Sequence, residues 1–193
     1  MRSPTRHTGS PSMTHFVLAS LCATSLLVVS LLSYRYDSYT RQNELAGLLS
    51  DIERAEYVMA VWSEKMNAQL GTCLQEATCD RDKLARSLES EASRAEQALY
   101  QHETAIRTTW VSPWHASVQE IKATYLIHLE VWLLYFDEIS RDGGAVSSSI
   151  HVAEIGSSFV DACAALRAVA GSTLYPNRAS SNRTRSLAVC AKP

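Results

Sequence analysis

Residues 16 to 34, FVLASLCATSLLVVSLLSY, are apolar or small throughout and carry no charge. As a helix rising 1.5 Å per residue this run reaches about 28 Å, close to the hydrocarbon thickness of a bilayer. Beyond it the pattern changes from continuous to periodic. From Asn43 to Leu70 a heptad holds, with Leu45, Ile52, Met59 and Met66 at one position and Leu48, Ala55, Trp62 and Gln69 at the other. A 3.5-residue repeat of this kind predicts the seam of a left-handed bundle or coiled coil. No proline or glycine falls between Phe16 and Ala46, so the two segments are expected to form one helix that stops at Gly71.

Three further helices are predicted after the loop GTCLQEATCD. The second, capped by Asp80 or Thr78 and rich in acids in its first turn, turns Leu84, Leu88, Ala92, Ala95, Leu99, Ile106 and Trp110 inward. Ser112-Pro113 reads as a restart, with serine as N-cap and proline at the first helical position. The third helix is apolar nearly all round between Tyr125 and Phe136, the signature of burial on several sides or of packing on something else. It is too short to be a second span and holds His128 and Glu130. Asp142-Gly143-Gly144 ends it. The fourth, from about Ser148 to Ala170, has Ile150, Ala153, Phe159, Cys163, Leu166 and Val169 as its stripe, with Gly171 closing it. Residues 172–193 show no apolar period, carry Arg178, Arg183, Arg185 and Lys192 with no acid, and are expected to be irregular.

The expected fold class is therefore all-α: one N-terminal transmembrane helix continuing into an extracytoplasmic up-down four-helix bundle. The expected divisions are a cytoplasmic tail (1–15), the transmembrane helix (16–34), the bundle (35–171) and a basic tail tied by Cys190 (172–193). The run 16–34 exceeds a usual secretory apolar region and lacks a clean small-x-small end, so an uncleaved anchor is expected. A weak cleavage site after Ser30, with Val28 at −3, is the alternative. Arg2 and Arg6, with no acid beside them, favour a cytoplasmic N-terminus, an argument that vanishes if translation starts at Met13.

Cysteine usage points the same way. Cys22 lies in the apolar run, leaving four, Cys73, Cys79, Cys163 and Cys190, an even number that suits two disulfides in an exported domain. Of three possible pairings, Cys73–Cys79 and Cys163–Cys190 are favoured. From residue 35 onward twenty acids face sixteen basic residues. That mild acidity argues against nucleic-acid binding. Fourteen arginines against four lysines point to a high-GC bacterial genome.

No motif for chemistry emerges. Three residues before the histidines of the predicted bundle stand Leu99, Ser112, Tyr125 and Ser148, so the Glu-x-x-His pairs of a di-iron bundle are missing. No Cys spacing suits zinc or covalent haem. Met59 or Met66 with His102 could ligate haem, but methionines at a seam are core fillers first. His128 and Glu130 share the most apolar stretch, yet residues two apart point to different faces. There is no nucleophile elbow, phosphate loop or dinucleotide fingerprint. Asn182-Arg183-Thr184 fits a glycosylation sequon, in a bacterium a matter of chance. The expectation is a protein without catalysis, cofactor or metal.

Two features suggest contacts instead. Trp110, Val111 and Trp114 flank Pro113 at a turn that an up-down bundle would place at its membrane-proximal end, where tryptophan favours interfaces with lipid or protein. They would touch the bilayer or a partner, or else plug the bundle end. In the apolar run, Ala19, Cys22, Ala23 and Ser30 supply small residues that let helices pack closely in lipid.

From FVLASLCATSLLVVSLLSY through the bundle, the layout resembles that of the single-span accessory subunits of actinobacterial respiratory supercomplexes. The resemblance implies an accessory or structural role beside an integral membrane protein complex, with membrane lipid as the other partner. The alternative is a ligand-sensing or ligand-binding bundle acting through a partner, similar in layout to chemoreceptor sensor domains, which have a second span and an output domain.

Overall fold

The computed structural model describes residues 13–75, 79–147, 149–168 and 175–191. Among these residues the regular structure is helical throughout: α1 (Met13–Gln75), α2 (Arg81–Thr108), α3 (Ala116–Arg141), α4 (His151–Ala168) and α5 (Pro176–Val189), with a short 3-10 turn at Gly143–Ser147. The chain divides into two compact units, the first ending at Tyr39 and the second beginning at Thr40.

In the first unit, the helix from Val17 contains a window of mean hydropathy 2.0 with none of its residues buried, long and apolar enough to cross a membrane. Between Val17 and Tyr36 its large apolar side chains, among them Leu18, Leu26 and Leu32, are all more than half exposed. Two of the polar side chains in this stretch bond to the helix backbone. The Thr24 hydroxyl donates to Ser20 O at 3.0 Å and the Ser25 hydroxyl to Leu21 O at 2.8 Å. That arrangement suits surroundings with no water to supply partners.

The second unit is organised by the heptad. Leu45, Ile52, Met59, Leu48, Ala55 and Trp62 are buried, and the ends of the two stripes, Met66 and Gln69, are half-buried. The helix runs through Gly71 to Gln75 rather than stopping there. No described glycine has a positive φ, so Gly71 uses none of its special freedom, and Cys73 sits on the final turn of α1. Contacts along the helices fix their pairing. Glu44 meets His115, Glu56 meets Tyr125 and Met66 meets Tyr135, so α1 and α3 advance together. Lys65 pairs with Glu91 and Asp51 with Thr109, so α2 returns along α1. α3 packs between α2 and α4.

α2 begins as expected, with the Asp80 side chain accepting from Lys83 N at 3.0 Å. Its last carbonyls are met by α3: Lys122 Nζ donates to Arg107 O at 2.8 Å and Thr109 O at 2.6 Å. Leu88, Ala92, Leu99 and Ile106 are buried, but Trp110 lies past the helix end and points into solvent. At Gly143 a Cβ would lie 2.1 Å from Ala85 O, so only glycine lets the 3-10 turn pass against α2.

The tail departs most from expectation. Residues 176–189 form α5, opened by Pro176, and bury Ala179, Asn182, Ser186 and Val189. These recur at helical spacing yet are mostly small or polar, so the hydrophobic pattern alone does not reveal them. In α4 the buried set is Ser158, Ala162, Cys163, Ala165 and Leu166, whereas Ile150 and Ala153 are exposed. Val169, Ala170 and Gly171 lie outside the described residues, as do Ser148, Lys192 and the first twelve positions with Arg2 and Arg6.

Candidate functional site

Two places in the second unit gather groups with something to offer. The first is the turn between α2 and α3. Ser112 does not cap α3, which starts at Ala116 with the His115 carbonyl receiving the first amides. Instead the Ser112 hydroxyl donates to Glu44 Oε1 at 2.5 Å, its amide donates to Oε2 at 3.2 Å, and His115 Nδ1 donates to Oε2 at 2.6 Å. Burial alone would push the Glu44 carboxyl up. The bonds from Ser112 and His115 outweigh it and hold the group below the ordinary carboxylate value. Gln119 adds a bond to Val111 O at 2.7 Å.

The result is a pinned turn. Of its three sequence-predicted contact residues, Val111 is buried in the core, while Trp110 and Trp114 are 66% and 69% exposed. Glu44→Gln would lose the negative acceptor for three donors, with an expected cost of about 1.5 kcal/mol. The wild-type contribution is complete above the ordinary carboxylate pKa and fades as pH falls through the lowered folded value. Urea unfolding of wild type and variant at pH 7 and pH 3 checks this. A gap between them that widens in acid would contradict it.

The second place is a cleft of about 490 Å³ where α1, α3 and α4 meet. Apolar walls come from Met59 of α1, Trp132 of α3, and Ile155 and Phe159 of α4; Ala60 and Gly156 keep it open. A Cβ on Gly156 would meet nothing within 4 Å. Two buried polar groups reach this lining. Glu56, 6% exposed, accepts the Tyr125 hydroxyl at 2.6 Å. His128, 2% exposed, sits in a chain of bonds: Trp132 Nε1 donates to His128 Nε2 at 3.2 Å, and Ser158 lies 2.9 Å from His128 Nδ1.

That chain assigns the tautomer. Indole nitrogen only donates, so Nε2 must accept and Nδ1 carries the hydrogen, directed at the Ser158 oxygen. The Ser158 hydroxyl passes its own hydrogen to Ile155 O at 3.1 Å. Burial pushes the imidazole pKa down to about 4, so it is neutral at pH 7. Rings surround it: Phe159 at 5.4 Å and Tyr125 at 5.7 Å between centroids. Glu130, two residues on, points to solvent and pairs with Arg107 at 3.0 Å, as the opposite-face argument requires.

The remaining sequence-predicted residues are placed as follows. Cys73–Cys79 and Cys163–Cys190 stand at disulfide distance, with Cα separations of 5.0 and 5.6 Å. Ala19, Cys22, Ala23 and Ser30 are exposed on the apolar helix, and Cys22 is a free thiol. Met59 packs in the core, and His102 borders a different surface hollow with Tyr57 and Arg54. No cluster of three or more metal-ligating side chains occurs among the described residues. Asn182 of the sequon is buried and donates its amide to Gln42 at 2.9 and 3.0 Å, so it is closed to modification. Sequence reasoning missed Glu44 and Glu56. Each lies one step off the heptad seam, where a carboxylate ordinarily reads as a solvated flank.

No protein-family model, curated protein or solved structure matches the chain.

Proposed function

We propose that the chain is a non-catalytic, single-span membrane protein that serves as an accessory or structural subunit of a larger bacterial membrane complex. In this reading the N-terminus is cytoplasmic and the second unit is extracytoplasmic, an up-down four-helix bundle with α5 laid on its side. The exposed apolar helix and the two cysteine pairs at disulfide distance support that placement. The antiparallel return of α2 and the advance of α3 with α1 support the bundle. The resemblance in layout extends the reading to a respiratory assembly.

One observation carries the interaction role. Trp110 and Trp114 are held out in water on a turn that the half-buried Glu44 pins to α1. Large aromatics presented on a fixed backbone lose little entropy on docking and are the residues most enriched at interaction hot spots. The test is affinity purification of the tagged full-length protein from native membranes in mild detergent, with mass spectrometry. A stoichiometric set of membrane partners is expected. Trp110→Ala with Trp114→Ala, and separately Ala19→Ile with Ala23→Ile, should each lower partner recovery more than tenfold. Recovery of no partner, or undiminished recovery with both variants, would count against the role.

The cleft beside His128 favours a second reading, a helical domain that binds a small ligand and acts through its partner. Its apolar walls and few convergent polar groups are those of small-molecule sites generally.

A further inference from the structure

We propose that the cleft between α1, α3 and α4 takes an amine carrying an aromatic or compact apolar body, its ammonium group directed at Glu56. The proposal rests on the ligand-binding reading above and names the chemistry of that site.

Three observations converge. The walls are hydrocarbon, thioether and ring: Met59, Ile155, Trp132 and Phe159. A volume of about 490 Å³ is in the range that encloses a small organic molecule rather than an ion or a peptide. Among the polar groups of the lining, Ser63, Asn67, His128 and Glu56, the carboxylate is Glu56, buried, with Oε1 accepting the Tyr125 hydroxyl at 2.6 Å. Among the described residues no lysine or arginine lines the cleft.

The sign of the charge selects the ligand. An anion entering this cleft would meet a carboxylate in place of a cation. An ammonium ion would meet a charge-assisted acceptor beside aromatic faces, both of which favour cations in a partly desolvated setting. His128 adds no opposing charge, because its two ring nitrogens are committed to Trp132 and Ser158 and burial keeps it neutral at pH 7. Tyr125 fixes the carboxylate before any ligand arrives, which lowers the entropic cost of capture. Ala60 and Gly156, on facing helices, leave the space that the apolar body would fill.

The probe pair is 2-phenylethylamine, a cation at pH 7, and 2-phenylethanol, its neutral counterpart, titrated calorimetrically into the full-length protein in lipid nanodiscs. The amine is expected to bind with a dissociation constant of about 1 mM or below, at least tenfold tighter than the alcohol. Glu56→Gln keeps an oxygen for Tyr125 and removes the charge, so it should erase the preference while leaving the alcohol's affinity within about twofold. Gly156→Phe fills the cleft and should abolish binding of both probes. Equal affinity of wild type for the two probes, or an intact preference in Glu56→Gln, overturns the amine assignment and leaves the ligand-binding reading standing. Binding of neither probe, or binding unaffected by Gly156→Phe, overturns the assignment and that reading with it.

Discussion

Replacing Cys163 and Cys190 with serine is expected to lower the unfolding free energy by about 3.5 kcal/mol. The bond would close a loop of sequence separation 27, and in the chain-entropy picture most of its effect lies in restricting the unfolded chain. The structural consequence is local. α5 is opened by Pro176 and has few apolar residues to bury, so its attachment rests on Cys190, on Asn182 against Gln42, and on Arg185. The Arg185 guanidinium forms paired bonds of 2.7 Å to the two oxygens of Glu53 and reaches Ala46 O at 3.2 Å. Guanidinium denaturation followed by tryptophan fluorescence should show a lower midpoint in the double-serine protein. Amide exchange should accelerate in α5 before it does so in α2 or α3. Non-reducing peptide mapping that finds both wild-type thiols free, or an unshifted midpoint, would contradict the assignment.

Acid is expected to weaken the fold through His128, by as much as about 3 kcal/mol. The folded pKa, about 4, lies below the ordinary 6.5. As pH falls below 6.5 the unfolded chain takes a proton that the folded chain refuses, so stability is lost steadily until the folded imidazole itself begins to protonate near pH 4. Above 6.5 and well below 4 the group contributes no slope. His128→Gln removes the titration, at a constant cost from the disturbed bonds to Trp132 and Ser158. The difference in unfolding free energy between wild type and variant should therefore shrink as pH drops from 7 to 4. A difference independent of pH would mean that the imidazole is not buried neutral. The Glu44 contribution is complete above the ordinary carboxylate value, so the upper part of this window reports on His128 and not on Glu44.

What could be read from the sequence divides along physical lines. The α1 seam was legible because burial there follows apolar residues at a strict repeat, and all eight heptad positions are buried or half-buried. Asp80 was legible because a cap needs only its own next turn. Ser112 was not, since its hydroxyl answers Glu44, sixty-eight residues away in the chain, before it can answer α3. α5 stayed hidden because a helix packed through Ala179, Asn182 and Ser186 buries small and polar groups that the surrounding partners make acceptable. In α4, Ile150 was read as core by its type, but the helix begins one residue later and turns another face inward. The surplus of apolar residues on α3 resolves into two faces. Tyr125, Leu129 and Phe136 go to the core, while Ile127 and Leu134 remain in water. The cleft itself was not legible, because Ala60 and Gly156 become its opening only when α1 and α4 are brought together.

The polar contacts between α1 and α3 also settle an ambiguity that hydrophobicity leaves open. A heptad seam is nearly indifferent to a slip of seven residues, since Leu45, Ile52 and Met59 would exchange places with little loss of apolar area. Glu44 with His115 and Glu56 with Tyr125 tolerate no such exchange. A seven-residue slip would carry Glu44 towards the level of Lys122 and Glu56 towards that of Trp132, and strand four polar groups at once, three of them buried. The two carboxylates act as notches on a ruler, turning a repetitive surface into one with a single alignment.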